Sequence, residues 1–473
     1  MRFDEYRAHD AVGLAALVAG GEATAGELLD VAVARMAEVN PKINAVTRDM
    51  TDIARAQLPL SGPPASGPLA GVPYLLKDLG SHWGGVPTTF GSRLFADVPA
   101  AADSSMTRLY RMAGLNIFGK TNTPEFGIWP VTEPHLLGAC RNPWDLSRTP
   151  GGSSGGAAAA VSAGIVPAAH ATDGGGSIRI PAACCGLFGM KPSRGRVSFA
   201  PAGEGWAGAS IPHAVTRSVR DSAVLLDATC APQPGDPYFL APPERPYAQE
   251  VGRDPGKLRI GFTDKALTVG AALDPEVAEA VRDVARLCEG LGHRVEPVEL
   301  PGDHAAMQAA ARTILWASVA ASIDAECERR GRPLAEDEIE PATHGIYRRG
   351  KATTGPEYVR AVQVVHAYGR AAAQVFERCD VFLLATLGRP AIPLGHLFED
   401  PKRTVERLFG YMPNTQAFNN SGQPAMTVPL AWSSDGLPIG IQFVAPTGDE
   451  STLFRLAGQL EAARPWFDRV PPL

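Results

Sequence analysis

The chain has 473 residues, a net charge of −6, 45% hydrophobic and 20% charged residues, a balance that suits a globular protein large enough to bury an active site. The mild acidity and the lack of any basic run exclude an electrostatic footprint for nucleic acid. The longest small-apolar stretch, 157–171, is broken by Gly164 and Pro167, and Met1–Arg7 contain no apolar run. Neither a membrane span nor a signal peptide is therefore expected, and the setting reads as cytoplasmic.

In chain order, residues 1–60 read as helical. Thr24 and Glu27 form a capping box ahead of Leu28, Leu29, Val31, Val33 and Met36 at helical spacing, and Asn40-Pro41 is expected to end that helix. Residues 59–68, rich in Pro, Gly and Ser, read as a surface loop. Short apolar runs then alternate with helices. Strands are expected at 72–76, 115–118 and 165–171, and helices at 104–113 and 155–163. Beyond a Pro- and Gly-rich stretch at 238–258, strands are expected at 258–262 and 293–298, and helices at 274–290, 303–330 and 356–379. Strands at 381–384, 425–430 and 439–444 and a helix at 451–463 complete the pattern. The alternation predicts an α/β protein with a mixed sheet covered on both faces.

Seven cysteines (Cys140, Cys184, Cys185, Cys230, Cys288, Cys327, Cys379) are scattered with no Cys-x-x-Cys, and the ten histidines form no ligand-spaced pair. Buried reduced thiols are expected, with no metal and no cofactor.

Three motifs carry chemical meaning. Gly114-Leu-Asn-Ile-Phe-Gly119-Lys120-Thr121 fits the phosphate-loop pattern. A phosphate loop follows a strand and opens a helix, whereas here a strand falls inside the motif, so nucleotide binding is discounted. Gly151-Gly152-Ser153-Ser154-Gly155-Gly156 reads as a nucleophile elbow or as a glycine turn capping a helix, and the proline-flanked polar segment before it argues against the elbow. In Thr172-Asp173-Gly174-Gly175-Gly176-Ser177-Ile178-Arg179, consecutive glycines can aim backbone N–H groups at one spot, placing an anion nest beside a serine. Upstream, Lys77 ends an apolar strand, where a desolvated lysine can lose its proton and act as a base.

Taken together, Leu76-Lys77-Asp78, Gly151–Gly156 and Asp173–Pro181 resemble the amidase signature family, as do Gly119–Phe126 and Asp435–Gln442. Asn40–Ala45 and Gly67–Lys77 are most similar to its members that hydrolyse the 6-aminohexanoate cyclic dimer. The resemblance implies an α/β/α sandwich around a central mixed sheet, in one domain. That domain comprises N-terminal helices (1–60), a catalytic core (61–237), a variable helical subdomain (about 238–400) and a return to the sheet (401–473).

The resemblance also implies a mechanism. Ser177 is the nucleophile, Ser153 relays protons, and Lys77 is the base. Gly174, Gly175, Gly176 and the Ser177 N–H form the oxyanion hole. Thr172 and Ser154 hydrogen-bond the relay, and Asp173 pairs with Arg179. Gly174 is a departure, since many members carry a bulkier residue there. Phe126, Ile128, Trp129 and Trp206, with Trp316, are candidate pocket residues. The expected partner is a small, mostly uncharged amide, and a homodimer would be ordinary. The competing readings are an α/β-hydrolase esterase acting through Ser153 and an amidase-like subunit of a tRNA amidotransferase.

Overall fold

Apolar runs too short to bury themselves as helices pair laterally, and among the described residues, 1–58 and 66–473 of a computed structural model, they form one mixed sheet of eleven strands. Most of the loop expected at 59–68 lies outside the described residues. The strands are β1 (Val46–Asp49), β2 (Pro73–Lys77), β3 (Asn116–Thr121), β4 (Ala168–Asp173), β5 (Phe188–Lys191), β6 (Ile211–Thr216), β7 (Arg259–Phe262), β8 (Arg294–Pro297), β9 (Val381–Ala385), β10 (Ala425–Trp432) and β11 (Pro438–Val444). Their order across the sheet is β1-β3-β2-β4-β6-β5-β10-β11-β9-β7-β8. β2 runs parallel to both β3 and β4, β7 runs parallel to β8 and β9, and the remaining pairs are antiparallel. Helices flank this sheet, as expected for an α/β protein. No helix among the described residues is long and apolar enough to cross a membrane.

β5 and β6, the helices Arg179–Cys185, Val219–Thr229 and Pro341–Ala352, and β1 were not anticipated. β1 was missed because 1–60 reads as helical throughout. The helix that was expected to stop at Asn40-Pro41 runs from Ala25 to Ile43, capped by left-handed Asn44. Pro41 sits in the last turn, so the one hydrogen bond it fails to donate is lost at the helix end, and buried Val39 and Ile43 keep the helical face on the core. The Asn40 side chain then clamps the turn into β1, its Oδ1 accepting from Ala45 N and Val46 N at 2.8 Å each. All seven cysteines are unpaired by disulfides.

β2 and β4 position the residues with chemical potential. They are parallel neighbours, so their carboxyl ends emerge side by side, the usual place for a site in an open α/β sheet. The short helix Arg179–Cys185 lies directly on β11, and a Cβ added at Gly440 would come within 2.6 Å of the Thr427 side chain and 2.8 Å of the Ala183 backbone. Gly440→Ala should therefore force this helix off the sheet and destabilise the protein by about 1–3 kcal/mol, an overpacking cost read from the urea unfolding midpoint.

Candidate active site

Lys77 is the last residue of β2, and Thr172 and Asp173 end β4. The Lys77 side chain is fully buried. Its Nζ donates to Ser153 Oγ at 2.7 Å and to Thr172 Oγ1 at 3.0 Å. No carboxylate among the described residues lies within ion-pair distance of it. Burial pushes the Lys77 ammonium down to about 7, and the more distant negative charge of Asp173 only partly opposes this.

The loop carrying Ser153 is packed too tightly for side chains. A Cβ on Gly152 would sit 2.6 Å from the Trp129 carbonyl oxygen. The Gly152–Ser153 peptide is cis. Thr132 Oγ1 donates to Gly151 O at 2.8 Å, and Thr123 Oγ1 donates to Ser153 O at 2.9 Å. Ser154 occupies the N-cap position of the helix Gly155–Ser162 without a side-chain cap bond. Among the described residues Ser154 Oγ makes no hydrogen bond to Lys77 or Ser153 Oγ, as a relay partner would. Its Oγ instead brackets the Thr172 backbone, donating to the carbonyl at 3.2 Å and accepting from the N–H at 3.3 Å.

The Asp173–Arg179 turn is organised by one carboxylate. Asp173 accepts from the N–H groups of Gly176 (2.7 Å), Ile178 (3.2 Å) and Arg179 (3.4 Å). It also forms a two-pronged pair with the Arg179 guanidinium at 2.9 Å on each prong, with both side chains fully buried. Burial alone would raise the Asp173 pKa, but the Arg179 charge and hydrogen bonds outweigh it and hold the carboxyl well below the usual range.

This geometry corrects the expected oxyanion set. The Gly176 N–H is engaged by Asp173 and is not available to a substrate. The N–H groups of Gly174, Gly175 and Ser177 have no hydrogen-bond partner among the described residues. Arg179 reaches further, to Gln442 Oε1 (2.5 Å), Asn419 Oδ1 (2.6 Å) and Thr415 O (3.0 Å). Thr415 and Asn419 were missed from sequence, and Gln442 entered only as the end of a family-like segment, with no role. The available signal was Gln442, a lone polar residue buried in the otherwise apolar β11.

Ser177 lies at the junction of a two-lobed cleft, and Gly127, Gly174 and Trp206 also line both lobes. The first lobe adds Ile128, Trp129, Gly175 and residues of the helix His304–Arg330, among them Arg312 and Leu315. The second adds Ser153, Thr172 and the rings of Phe90, Phe95 and Phe126. All four pocket candidates thus border the cleft, but Trp316 does not. It lies in a separate surface groove, with the Arg349 guanidinium 5.0 Å from its ring. Gly174 also finds its reason here, because a Cβ at that position would stand 2.6 Å from the Trp206 ring. Trp206 takes the space that a bulkier residue 174 would need.

The phosphate-loop lookalike is dismantled by the fold. Gly119, Lys120 and Thr121 lie within β3, and the buried Lys120 ammonium donates to Pro87 O (2.8 Å) and Thr88 Oγ1 (2.5 Å) beside Asp78. The esterase reading fails as well, because Ser153 follows a loop and bonds a lysine where an α/β-hydrolase requires a strand and a histidine.

A buried lysine joined to a serine, opposite a second serine beside a glycine nest, defines a serine hydrolase that needs no histidine. Comparison with known proteins makes the class specific. The family described as Amidase matches residues 27–454. The 6-aminohexanoate-cyclic-dimer hydrolase of Paenarthrobacter ureafaciens is 40% identical over 480 residues, covering 98% of this chain and 96% of that protein. The solved structure of a 6-aminohexanoate cyclic dimer hydrolase matches with a TM-score of 0.93 at 39% identity over 98% of each chain, and a 6-aminohexanoate cyclic dimer hydrolase has also been solved in complex with substrate. A bacterial aryl acylamidase of the amidase signature family matches with a TM-score of 0.88 at 28% identity, covering 97% of this chain and 96% of that one. The chain belongs to the amidase signature family and is an amidase, a hydrolase of carbon–nitrogen bonds other than peptide bonds.

The buried ion pair gives a stability prediction. Arg179→Met leaves Asp173 buried without its counter-charge and should cost about 3–5 kcal/mol in urea unfolding. The loss should shrink as pH falls and Asp173 takes up a proton, since protonation removes the unpaired charge.

Proposed function

We propose that this amidase cleaves small, mostly uncharged hydrophobic amides through an acyl-enzyme on Ser177. The proposal covers linear and cyclic oligoamides and anilides, and extends to carbamates and esters. The observation that carries it is the Lys77–Ser153 hydrogen bond, made by a fully buried ammonium behind an apolar cleft that Ser153 and Ser177 share.

In this reading neutral Lys77 draws a proton from Ser153, which draws one from Ser177 as its Oγ attacks the carbonyl carbon. The N–H groups of Gly174, Gly175 and Ser177 receive the oxyanion. The proton returns through Ser153 to the leaving amine, and water then releases the acid by the same relay. Thr172 steadies the Lys77 ammonium. Asp173, Arg179 and Ser154 hold the loops and touch no reacting atom. The apolar walls around Phe126, Ile128, Trp129 and Trp206 support mostly uncharged substrates, because a charge buried there without a partner would lose its hydration. The names of the relatives, a cyclic oligoamide hydrolase and an aryl acylamidase, point to the same substrate classes.

Ser177→Ala should abolish turnover, while Lys77→Ala and Ser153→Ala should each lower kcat by roughly 10²–10⁴-fold, the range for loss of a positioned proton carrier, with unfolding midpoints retained. More than a tenth of wild-type kcat in Lys77→Ala would remove it as the base. Steady-state kinetics with an acyl anilide, a carbamate, a linear aliphatic amide and glutamine tests the substrate class. Glutamine as the best of the four would overturn the apolar reading in favour of an amidotransferase-like one.

Lys77 acts only when neutral, and its proton affinity is lowered to about 7. The value of kcat/KM should therefore be low in acid, rise through a single ionisation near pH 7, and level off in alkali. A flat profile between pH 5 and pH 9, about two units either side of that ionisation, would contradict the assignment.

A further inference from the structure

The two lobes of the cleft differ in chemistry. Ser153 and Thr172 open only into the lobe walled by phenylalanine rings. On the proposed reading of Ser177 as the nucleophile, the leaving nitrogen must take its proton from Ser153 and so departs into that aromatic lobe. The acyl chain is left with the other lobe, on the Gly175 side of the nest.

The charged groups of the aromatic lobe satisfy one another. Glu326 pairs with Arg329 at 2.7 Å and with Arg330 at 2.6 Å. The acyl lobe is different. Arg312 lines it from the helix His304–Arg330 and has no ion pair or hydrogen bond among the described residues. Its guanidinium lies 5.4 Å from the Phe409 ring centroid. Burial and the neighbouring positive charge of Arg349 both disfavour its charged form, so the local field favours an arriving anion.

Two further residues lining this lobe carry a buried polar atom without a partner among the described residues: Trp129 at its Nε1–H and Gln416 at its carboxamide oxygen. The NH₂ group of the same Gln416 amide makes no hydrogen bond among the described residues and is the donor on its accessible branch. Buried polar groups in folded proteins are nearly always paired, and a guanidinium is matched best by a planar carboxylate.

We infer that this lobe is a subsite for acyl groups whose far end carries a carboxylate, received by Arg312 with Trp129 and Gln416 beside it. The enzyme then combines an apolar, aromatic amine side with an acyl side that accepts one negative charge.

The test reads binding apart from turnover. Calorimetry on the Ser177→Ala variant compares two probes, the monoanilide of pentanedioic acid and the methyl ester of that monoanilide. The acid should bind about tenfold more tightly than the ester, the worth of one charge-assisted hydrogen bond. In Ser177→Ala/Arg312→Met the acid-to-ester ratio should fall to about one, and in Ser177→Ala/Arg312→Lys it should lie between the two, because lysine keeps the charge without the fork. A ratio near one with Arg312 present, no binding of the acid, or a ratio unchanged in the methionine variant would each overturn the subsite. Wild-type hydrolysis of butanoyl anilide is measured in parallel. Its failure would count against the amidase reading of Ser177, whereas the binding ratio judges Arg312 alone.

Discussion

The site depends on an ammonium group buried without a counter-ion. A buried lysine is normally neutralised by a carboxylate, and Lys120 in the adjacent β3 shows the ordinary solution, with Asp78 at 3.7 Å. Lys77 is offered two hydroxyls instead. A hydroxyl can accept from the ammonium and also pass a proton, so the arrangement that makes the charge unstable also supplies a path for moving it. A carboxylate in place of Thr172 would fix the proton on Lys77 and, on the proposed mechanism, remove the base.

A lowered proton affinity does not by itself select the base. Lys191 is pushed down to about 7 as well, mainly by burial. Its ammonium donates to the Pro192 carbonyl, and Lys191 lines neither lobe of the cleft. Perturbation follows from depth, and many deep residues are structural. What separates Lys77 is its contact with a serine that borders the cavity, a matter of position at the end of β2.

Much of this was legible in the chain because the information is local. Lys77 stands out against Tyr74-Leu75-Leu76, and the glycine runs around Ser153 and before Ser177 announce backbone that must approach something closely. The strands that carry them were read to within a few residues. What the sequence hid is set at long range. Nothing near Gly176 says that its N–H will turn inward, because that depends on the Asp173 carboxylate being held from the other side by Arg179, Asn419 and, through Arg179, Gln442. The helix His304–Arg330 walls the cleft from far along the chain. Its residues Arg312, Leu315 and Val319 look like any amphipathic face until the helix is docked.

Asp173 shows how a residue with no hydrogen bond to the Lys77, Ser153 or Ser177 side chains can still shape the proposed chemistry. Its carboxylate gathers the N–H groups of Gly176, Ile178 and Arg179 on one side of the turn. With those bonds made, the N–H groups of Gly174, Gly175 and Ser177 are the ones left without partners, next to the cleft. On the proposed mechanism such donors need no reorganisation when an oxyanion develops, which is the source of their effect. The cost is a buried negative charge, which the Arg179 guanidinium and the Asn419 amide offset. Gly174 completes the arrangement from the outside. By having no side chain it lets the Trp206 ring close over the nest, so one position serves both the backbone donors and the shape of the cleft above them.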